Sequence, residues 1–347
     1  MIRILVGLVV LLVASAGVIV GYNWLQFGRV HGEMEEVSFV SADGASFHGA
    51  LFTPSTPGPH PAIVIFHGSG PSSGLGMFIT GHANSFLKHD IAVLTYDKRG
   101  SGKSEGDFDT ATYADFIDDA IASVDMLRAR ADIIPDQVAL FGSSESGWFT
   151  PEIAERVGDV PFIINRAGPP LSWIETNLWE IRNELVRAGL SDEKEIAAFL
   201  DLRERIWRYY EEAANEKDPL LELRAELEAA VAKVDPRWIE ATGMRVAEYE
   251  QAKFERYLVD ILYDPTPYWE RLEIPVLALH GGADENVPTA KAVAVFDRLR
   301  REQGKSIEVI VYPGYTHGMG KYRNLFSMGY PPEYLPKLGD WAAAQLE

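Results

Sequence analysis

Six short apolar stretches constrain the fold of this chain more than any other feature. They span residues 62–66, 91–94, 138–141, 162–164, 276–279 and 307–311, and only the last is interrupted, by Glu308. Apolar side chains at every position are typical of strands covered on both faces, as in a parallel sheet. Helical periodicity separates several of them, most clearly at 113–127. We therefore predict an α/β fold built on a doubly wound, mostly parallel sheet.

The segment before the first of these stretches has a different pattern. Residues 36–40 and 45–52 alternate apolar and polar side chains around Asp43-Gly44. This alternation predicts an antiparallel hairpin at an edge of the sheet.

The alternation of strand and helix stops once, in a long segment without a strand-like run. Its residues are mostly good helix formers, notably at 221–234. We predict a helical cap inserted over residues 169–262, between core segments 35–168 and 263–347. Four of the eight tryptophans lie in this segment, and we expect most of its aromatic residues to join the cap helices to one another: Trp173, Trp179, Trp207 and Trp238.

The N-terminal segment has the composition of a membrane-associated sequence. No charged residue occurs between positions 4 and 28, which is close to the length that crosses a bilayer as a helix. Residues 1–28 are therefore predicted to be a membrane anchor. The alternative is a cleaved secretory signal ending near Ala14-Ser15-Ala16. Arg3 before the segment and Glu33 after it place the main domain outside the cytoplasm, so cleavage would make the protein secreted or periplasmic.

Composition excludes several classes of function. The formal charge of −19 argues against a nucleic-acid partner, which would need a basic surface. The absence of cysteine excludes thiol catalysis, disulfides and cysteine-ligated metals. The eight histidines are scattered and form no metal-binding pattern. We therefore predict no metal and no cofactor, and the sequence does not indicate an oligomeric state.

Residues with catalytic potential follow three of the predicted core strands. A serine-rich turn follows 138–141, Asp284 follows 276–279, and His317 follows 307–311. A serine hydroxyl becomes a good nucleophile when a base accepts its proton and a carboxylate orients that base. Each residue also has a simpler explanation, because aspartates often cap helices and a histidine in a Gly/Pro-rich loop is often incidental.

The serine-rich turn resembles the nucleophile elbow of the α/β-hydrolase family. The family pattern is G-x-S-x-G, and the chain has Gly142-x-Ser144-x-Ser146. In that family the nucleophile has a strained backbone, so the residues two positions before and after it must be small. This rule selects Ser144, because the corresponding neighbours of Ser143 and Ser146 include bulky residues. Ser146 replaces the second glycine and departs from the pattern.

The resemblance implies roles for four further residues. Asp284 and His317 match the acid and the base of the family's triad, and they follow Ser144 in the family's order. The turn that contains Ser69 resembles the family's oxyanion loop. The implied oxyanion donors are the backbone N–H groups of Ser69 and Glu145. The fold implied is an α/β-hydrolase core with an inserted helical cap.

A second glycine-rich turn, at 96–104, carries no chemistry in this interpretation. It lacks the G-x-x-x-x-G-K-[ST] spacing of a phosphate-binding loop. It resembles the D-x-R-G-x-G-x-S turn of many α/β hydrolases, and the resemblance implies a structural role.

The function implied is that of a serine hydrolase that cleaves a small-molecule carboxylic ester or thioester through an acyl-enzyme on Ser144. The first alternative is an aminopeptidase-like amide hydrolase, in which cap carboxylates such as Glu175 and Glu180 hold the amine of a peptide-like substrate. The second is a binding protein that keeps the fold without catalysis, although no triad residue is missing from the sequence.

Overall fold

A computed structural model of the chain describes residues 28–74, 77–215, 220–246, 260–261, 263–321 and 329–347, together with residue 17. The predicted anchor at 1–28 therefore lies outside the described residues, except at positions 17 and 28. Within the described ranges, no helix is both long enough and apolar enough to span a bilayer.

The centre of the molecule is one eight-stranded sheet, and the predicted mostly parallel α/β architecture is confirmed. The strand order is β1-β2-β4-β3-β5-β6-β7-β8. The first two strands form the predicted antiparallel hairpin at one edge, and strands three to eight are parallel. The strands are β1 (Glu33–Val40), β2 (Ser46–Thr53), β3 (His60–Phe66), β4 (Ala92–Tyr96), β5 (Ile133–Ser143), β6 (Ile163–Arg166), β7 (Val276–Gly281) and β8 (Ile307–Tyr312).

Ten helices are described around this sheet. They are α1 (Met77–Leu87), α2 (Tyr113–Arg128), α3 (Ser146–Val157), α4 (Trp173–Ala188), α5 (Glu193–Asn215), α6 (Leu221–Val231), α7 (Pro236–Thr242), α8 (Thr266–Arg271), α9 (Thr289–Gln303) and α10 (Tyr334–Leu346). Helix α2 begins at a capping box, in which the Thr112 hydroxyl accepts from the Asp115 N–H and the Asp115 carboxylate accepts from the Thr112 N–H.

Helices cover both faces of the sheet, which explains why its strands are apolar at successive positions. Val64 belongs to the core layer that contains residues of α2, α3, α8 and α9. Its neighbours Ile63 and Ile65 belong to the layer on the other face, with residues of α1 and α10. Full burial of such a side chain stabilises the fold by about 1.5–3 kcal/mol.

Between β6 and α8 the described chain forms helices α4 to α7, which we call the cap. The cap has its own apolar cluster, in which Trp207 and Trp238 are buried. The ring of Trp173 meets that of Trp207 edge to face, with centroids 4.9 Å apart. These contacts agree with the expected role of the aromatic residues in joining the cap helices. The predicted boundaries of 169–262 stay a prediction.

Candidate active site

Ser144 lies between the end of β5 and the start of α3, and its backbone has the conformation expected of an elbow. Its φ is 55°, in the left-handed region, whereas Ser143 and Ser146 have no positive φ. Holding a residue other than glycine there costs about 1–3 kcal/mol unless its surroundings fix it. Here the Ser144 N–H donates to the Arg166 carbonyl at 2.9 Å, and the Ser144 carbonyl accepts from the Gly147 N–H at 2.8 Å.

The positions two residues before and two residues after Ser144 are both occupied by small residues that pack closely against their surroundings. A Cβ on Gly142 would clash with the Thr150 side chain. Ser146, which departs from the family pattern, is buried and has a structural function. Its hydroxyl accepts from the Ser143 N–H at 2.7 Å and lies 3.2 Å from the Phe66 carbonyl oxygen. The serine therefore ties the turn to the end of β3, which a glycine could not do.

The structure brings Ser144, His317 and Asp284 together at the carboxyl ends of β5, β8 and β7. His317 Nε2 lies 2.7 Å from Ser144 Oγ, and His317 Nδ1 lies 2.9 Å from Asp284 Oδ2. The Asp284 side chain is fully buried, whereas the His317 side chain is 23% exposed. The predicted residues are thus arranged in one hydrogen-bonded row that opens towards solvent at the histidine.

The hydrogen bonds of Asp284 determine which nitrogen of His317 carries the proton. Asp284 Oδ1 accepts from the N–H groups of Asn286 and Val287, at 2.8 and 2.9 Å. Oδ2 is left to accept from His317 Nδ1–H. Nε2 then has a free lone pair, and the Ser144 hydroxyl donates to it. This is the arrangement that a general base requires.

A cavity of about 510 Å³ opens onto Ser144, and both predicted oxyanion residues line it. Ser69 reaches the cavity from the loop after β3, and Glu145 follows Ser144. The two loops lie against each other, because a Cβ on Gly68 would stand 3.1 Å from the Ser144 Cβ. The structure thus places Ser69 and Glu145 on the same wall as the serine hydroxyl, and their oxyanion role stays a prediction.

The rest of the cavity wall comes from the core and from the cap. Aromatic side chains form much of it, and three carboxyl groups lie among them. No lysine or arginine lines the cavity among the described residues. The wall residues beyond those already named include Phe108, Asp109, Tyr113, Trp148, Trp173, Thr176, Asn177, Glu180 and Asp260.

Two contacts at this site link segments that are distant in the sequence. The Lys98 ammonium, in the turn assigned no chemistry, contacts the Glu145 carboxylate at 2.5 Å. The Trp179 indole, in the cap, donates to the Asp284 carbonyl at 3.2 Å. No sequence motif pairs these residues. The only local signal is the position of Lys98 within the D-x-R-G-x-G-x-S pattern of the 96–104 turn, and this pattern does not identify a partner.

Two further histidines lie near the site, His280, which is buried, and His67, which is partly buried. Burial lowers the pKa of His280 to about 4, although nearby Asp284 opposes the shift. Burial likewise lowers the pKa of His67 to about 4, and its Nε2 lies 2.8 Å from the Tyr96 carbonyl oxygen. Both rings are therefore neutral near pH 7, which leaves His317 as the histidine placed to accept a proton from Ser144. Within the described ranges, no three His, Asp or Glu side chains are grouped as metal ligands.

The chain matches a protein family and several known proteins. Residues 43–318 match the family model of X-Pro dipeptidyl-peptidase (S15 family). Esterase EstD of Thermotoga maritima is 25% identical over 300 residues, which cover 83% of this chain but only 61% of EstD. The bifunctional esterase/perhydrolase DCH of Acinetobacter calcoaceticus is 25% identical over 242 residues, or 67% of this chain and 78% of that protein.

Solved structures support the same fold. An esterase from Pyrococcus furiosus superposes with a TM-score of 0.56 at 15% identity. The superposition covers 91% of this chain and 92% of the esterase. At this identity the likeness concerns the fold alone.

Proposed function

The chain belongs to the X-Pro dipeptidyl-peptidase (S15) family of α/β hydrolases, and from this premise we propose that it is a serine hydrolase acting on carboxylic esters. The observation that carries the proposal is the position of His317, whose two ring nitrogens lie 2.7 Å from Ser144 Oγ and 2.9 Å from Asp284 Oδ2. A hydrolase in which water attacks the substrate directly, without an acyl-enzyme, would not need a serine hydroxyl next to the histidine.

The proposed reaction has two halves. Ser144 Oγ attacks the ester carbonyl carbon while its proton passes to His317 Nε2, and Asp284 stabilises the resulting imidazolium. The negative oxygen of the tetrahedral intermediate accepts from the N–H groups of Ser69 and Glu145. His317 then protonates the leaving alcohol as the C–O bond breaks. A water molecule, deprotonated by the same nitrogen, attacks the acyl-enzyme, and collapse of the second intermediate releases the acid and restores Ser144.

An ester is the preferred substrate because EstD and DCH both carry esterase names. The cavity of about 510 Å³ is of the size that small ligands occupy, which suits a small-molecule substrate. A thioester would pass through the same steps, with a thiol as the leaving group.

The test is the substitution Ser144→Ala, assayed with p-nitrophenyl acetate and with a fluorophosphonate probe. We expect kcat to fall by about 10³-fold or more, and covalent labelling to disappear. The matched control is Ser123→Ala in α2, since Ser123 is also buried and its hydroxyl donates to the Ala120 carbonyl at 2.6 Å. Turnover of Ser144→Ala within tenfold of the control would reject the assignment. Folded wild-type protein that does not react with the probe would favour a non-catalytic binding protein.

A second candidate function is hydrolysis of an aminoacyl amide, and the charge of the cavity favours it. Four acidic residues line the described wall, Asp109, Glu145, Glu180 and Asp260, and none of the described lining residues is a lysine or arginine. Glu145 is paired with Lys98, which lies behind the wall. Such a wall is suited to a substrate with a protonated amine. Of the two cap carboxylates predicted for this role, Glu180 lines the cavity and accepts a hydrogen bond from Asn286. Glu175 lies elsewhere, paired with Lys291 at 2.6 Å.

The substitution Glu180→Gln separates the two candidates, and Glu175→Gln on the same helix is its control. If the substrate carries an amine, Glu180→Gln raises KM for an aminoacyl p-nitroanilide by about tenfold, the usual effect of losing a charged hydrogen-bond partner. KM for a neutral acyl ester would change little. Equal effects of the two substitutions, or no turnover of aminoacyl amides by the wild type, would leave the ester as the substrate.

A further inference from the structure

The side chain of Lys98 lies behind the two loops that form the predicted oxyanion hole. It follows β4 in the turn at 96–104 and is only 6% exposed. Its ammonium donates to the Gly68 carbonyl at 2.9 Å and to the Glu145 carboxylate at 2.5 Å. One cation therefore contacts the loop after β3 and the residue after Ser144 at once.

The Gly68 carbonyl belongs to the same peptide unit as the Ser69 N–H. The C=O and N–H of a trans peptide point in opposite directions, and the only cis peptide described is Gly58-Pro59. Because Lys98 holds the carbonyl on one side, the Ser69 N–H points away from Lys98. Ser69 lines the cavity together with Ser144, so this orientation suits an oxyanion donor.

The same contact affects the strength of the donor as well as its direction. A cation on the carbonyl oxygen draws electron density from the amide, which strengthens the hydrogen bond that its N–H donates. Besides its two polar partners, the ammonium is buried against aromatic rings, with Nζ 4.4 Å from the ring centroid of Phe116 and 5.3 Å from that of Phe108. Electrostatic effects are larger in such surroundings than in water.

Stability alone gives little reason for this ion pair. A buried pair often contributes no more to stability than apolar side chains of the same volume. Lys98 and Glu145 are both buried, with side chains 6% and 9% exposed. The neighbouring Arg99 makes a comparable pair with Asp119, at 2.5 and 2.9 Å, but its other carboxylate partner is Asp43 of the β1–β2 turn.

We propose that Lys98 is a positioning residue for catalysis: by binding the Gly68 carbonyl and the Glu145 carboxylate together, it sets the two backbone N–H groups that stabilise the oxyanion. The inference rests on the proposed serine hydrolase function. Lys98 touches neither the substrate nor Ser144 in this mechanism. It acts through the peptide units of Ser69 and Glu145.

The test compares Lys98→Met with Arg99→Met, which removes an equally buried cation of the same turn. With a p-nitrophenyl ester, we expect Lys98→Met to lower kcat by about 10²-fold, as loss of one oxyanion donor does, while KM changes less than threefold. Affinity for a trifluoromethyl ketone, which forms a tetrahedral oxyanion on Ser144, should fall in parallel with kcat. Lys98→Arg should restore part of kcat, because it keeps the cation. Arg99→Met should lower the melting temperature but leave kcat of the folded protein within threefold.

Each possible result either supports or overturns the proposed role of Lys98. Equal losses of kcat in Lys98→Met and Arg99→Met, or an unchanged kcat in folded Lys98→Met, would overturn it. If Lys98→Met does not fold, Glu145→Gln replaces it, because glutamine keeps the size of the side chain and removes the negative partner of Lys98. A fall of about tenfold in the kcat of Glu145→Gln supports the proposal, and an unchanged kcat rejects it. Fluorophosphonate labelling of the wild type separates this question from the function itself. An unlabelled wild type rejects the serine hydrolase, whereas a labelled wild type with a fully active Lys98→Met rejects only the role of Lys98.

Discussion

Replacement of Asp284 by asparagine isolates one hydrogen bond of the site, because the two carboxylate oxygens have separate partners. Oδ1 accepts from the N–H groups of Asn286 and Val287, and an amide oxygen can accept both. Oδ2 accepts from His317 Nδ1 at 2.9 Å, and an amide nitrogen cannot accept there. The substitution should therefore preserve the loop and change only the face presented to the histidine.

The expected loss follows from this change of donor and acceptor. With an NH₂ group facing Nδ1, the His317 ring keeps the hydrogen bond only by moving its proton to Nε2, which then cannot accept a proton from Ser144. Such a change in a triad lowers kcat by about 10⁴-fold, or about 5.4 kcal/mol of transition-state stabilisation. The melting temperature should change little. Asp284→Ala should lose similar activity and also be less stable by about 1–3 kcal/mol for each backbone N–H left unpaired.

Kinetics with p-nitrophenyl acetate give kcat, and thermal unfolding of the same samples gives the melting temperature. The matched control is Asp192→Asn, because Asp192 Oδ1 also accepts from the backbone N–H groups two and three residues later, those of Lys194 and Glu195. It has no histidine partner, so its kcat should equal that of the wild type. If Asp284→Asn keeps more than a tenth of wild-type kcat, the inference that Asp284 orients His317 is wrong.

Three further substitutions test other parts of the site. Gly68→Ala places a Cβ 3.1 Å from the Ser144 Cβ, and the small shift this forces should lower kcat/KM about tenfold; an unchanged kcat/KM would show that the loop relaxes freely. Trp179→Phe removes the indole bond to the Asp284 carbonyl and should cost about 0.5–1.5 kcal/mol of stability, measured by urea unfolding, together with a smaller loss of kcat. His280 has a pKa of about 4 against the ordinary 6.5, so the unfolded state binds its proton first as pH falls. The free energy of unfolding should therefore decrease between pH 6.5 and 4 by up to about 3 kcal/mol, and His280→Leu should flatten this slope; parallel wild-type and variant curves would contradict the assignment.

Local patterns are sufficient to predict the sheet and the elbow. The residues around Val64 are apolar at every position because helices cover both faces of the strand, and that pattern is readable without knowing which helices they are. The spacing of small residues around Ser144 is similarly local, since the positive φ requires small neighbours. Ser144, Asp284 and His317 each follow a strand. Because the strands are parallel, their carboxyl ends lie at the same edge of the sheet, and the three residues can be predicted to lie close together.

Contacts between distant segments are what the sequence leaves open. Lys98 and Glu145 are 47 residues apart, and Trp179 is 105 residues from Asp284. Neither pair has a periodicity or spacing that could show it. The acidic cap residues illustrate the same limit, because Glu175 and Glu180 are equivalent by composition, yet only Glu180 lines the cavity. Which carboxylate faces a substrate depends on the rotation of α4, and helix propensity does not determine that rotation.

Helix α4 contacts both the cavity and the loop that carries Asp284, the proposed catalytic acid. One face of the helix, with Trp173 and Glu180, lines the cavity. The adjacent face holds the loop after β7: Trp179 donates to the Asp284 carbonyl at 3.2 Å, and Asn183 donates to the carbonyl of the next residue at 2.9 Å. We therefore expect contacts between a substrate and the first face to affect the position of Asp284. Substitutions on the cavity face should then change kcat as well as KM, which would not occur if the cap were only a lid over a rigid core.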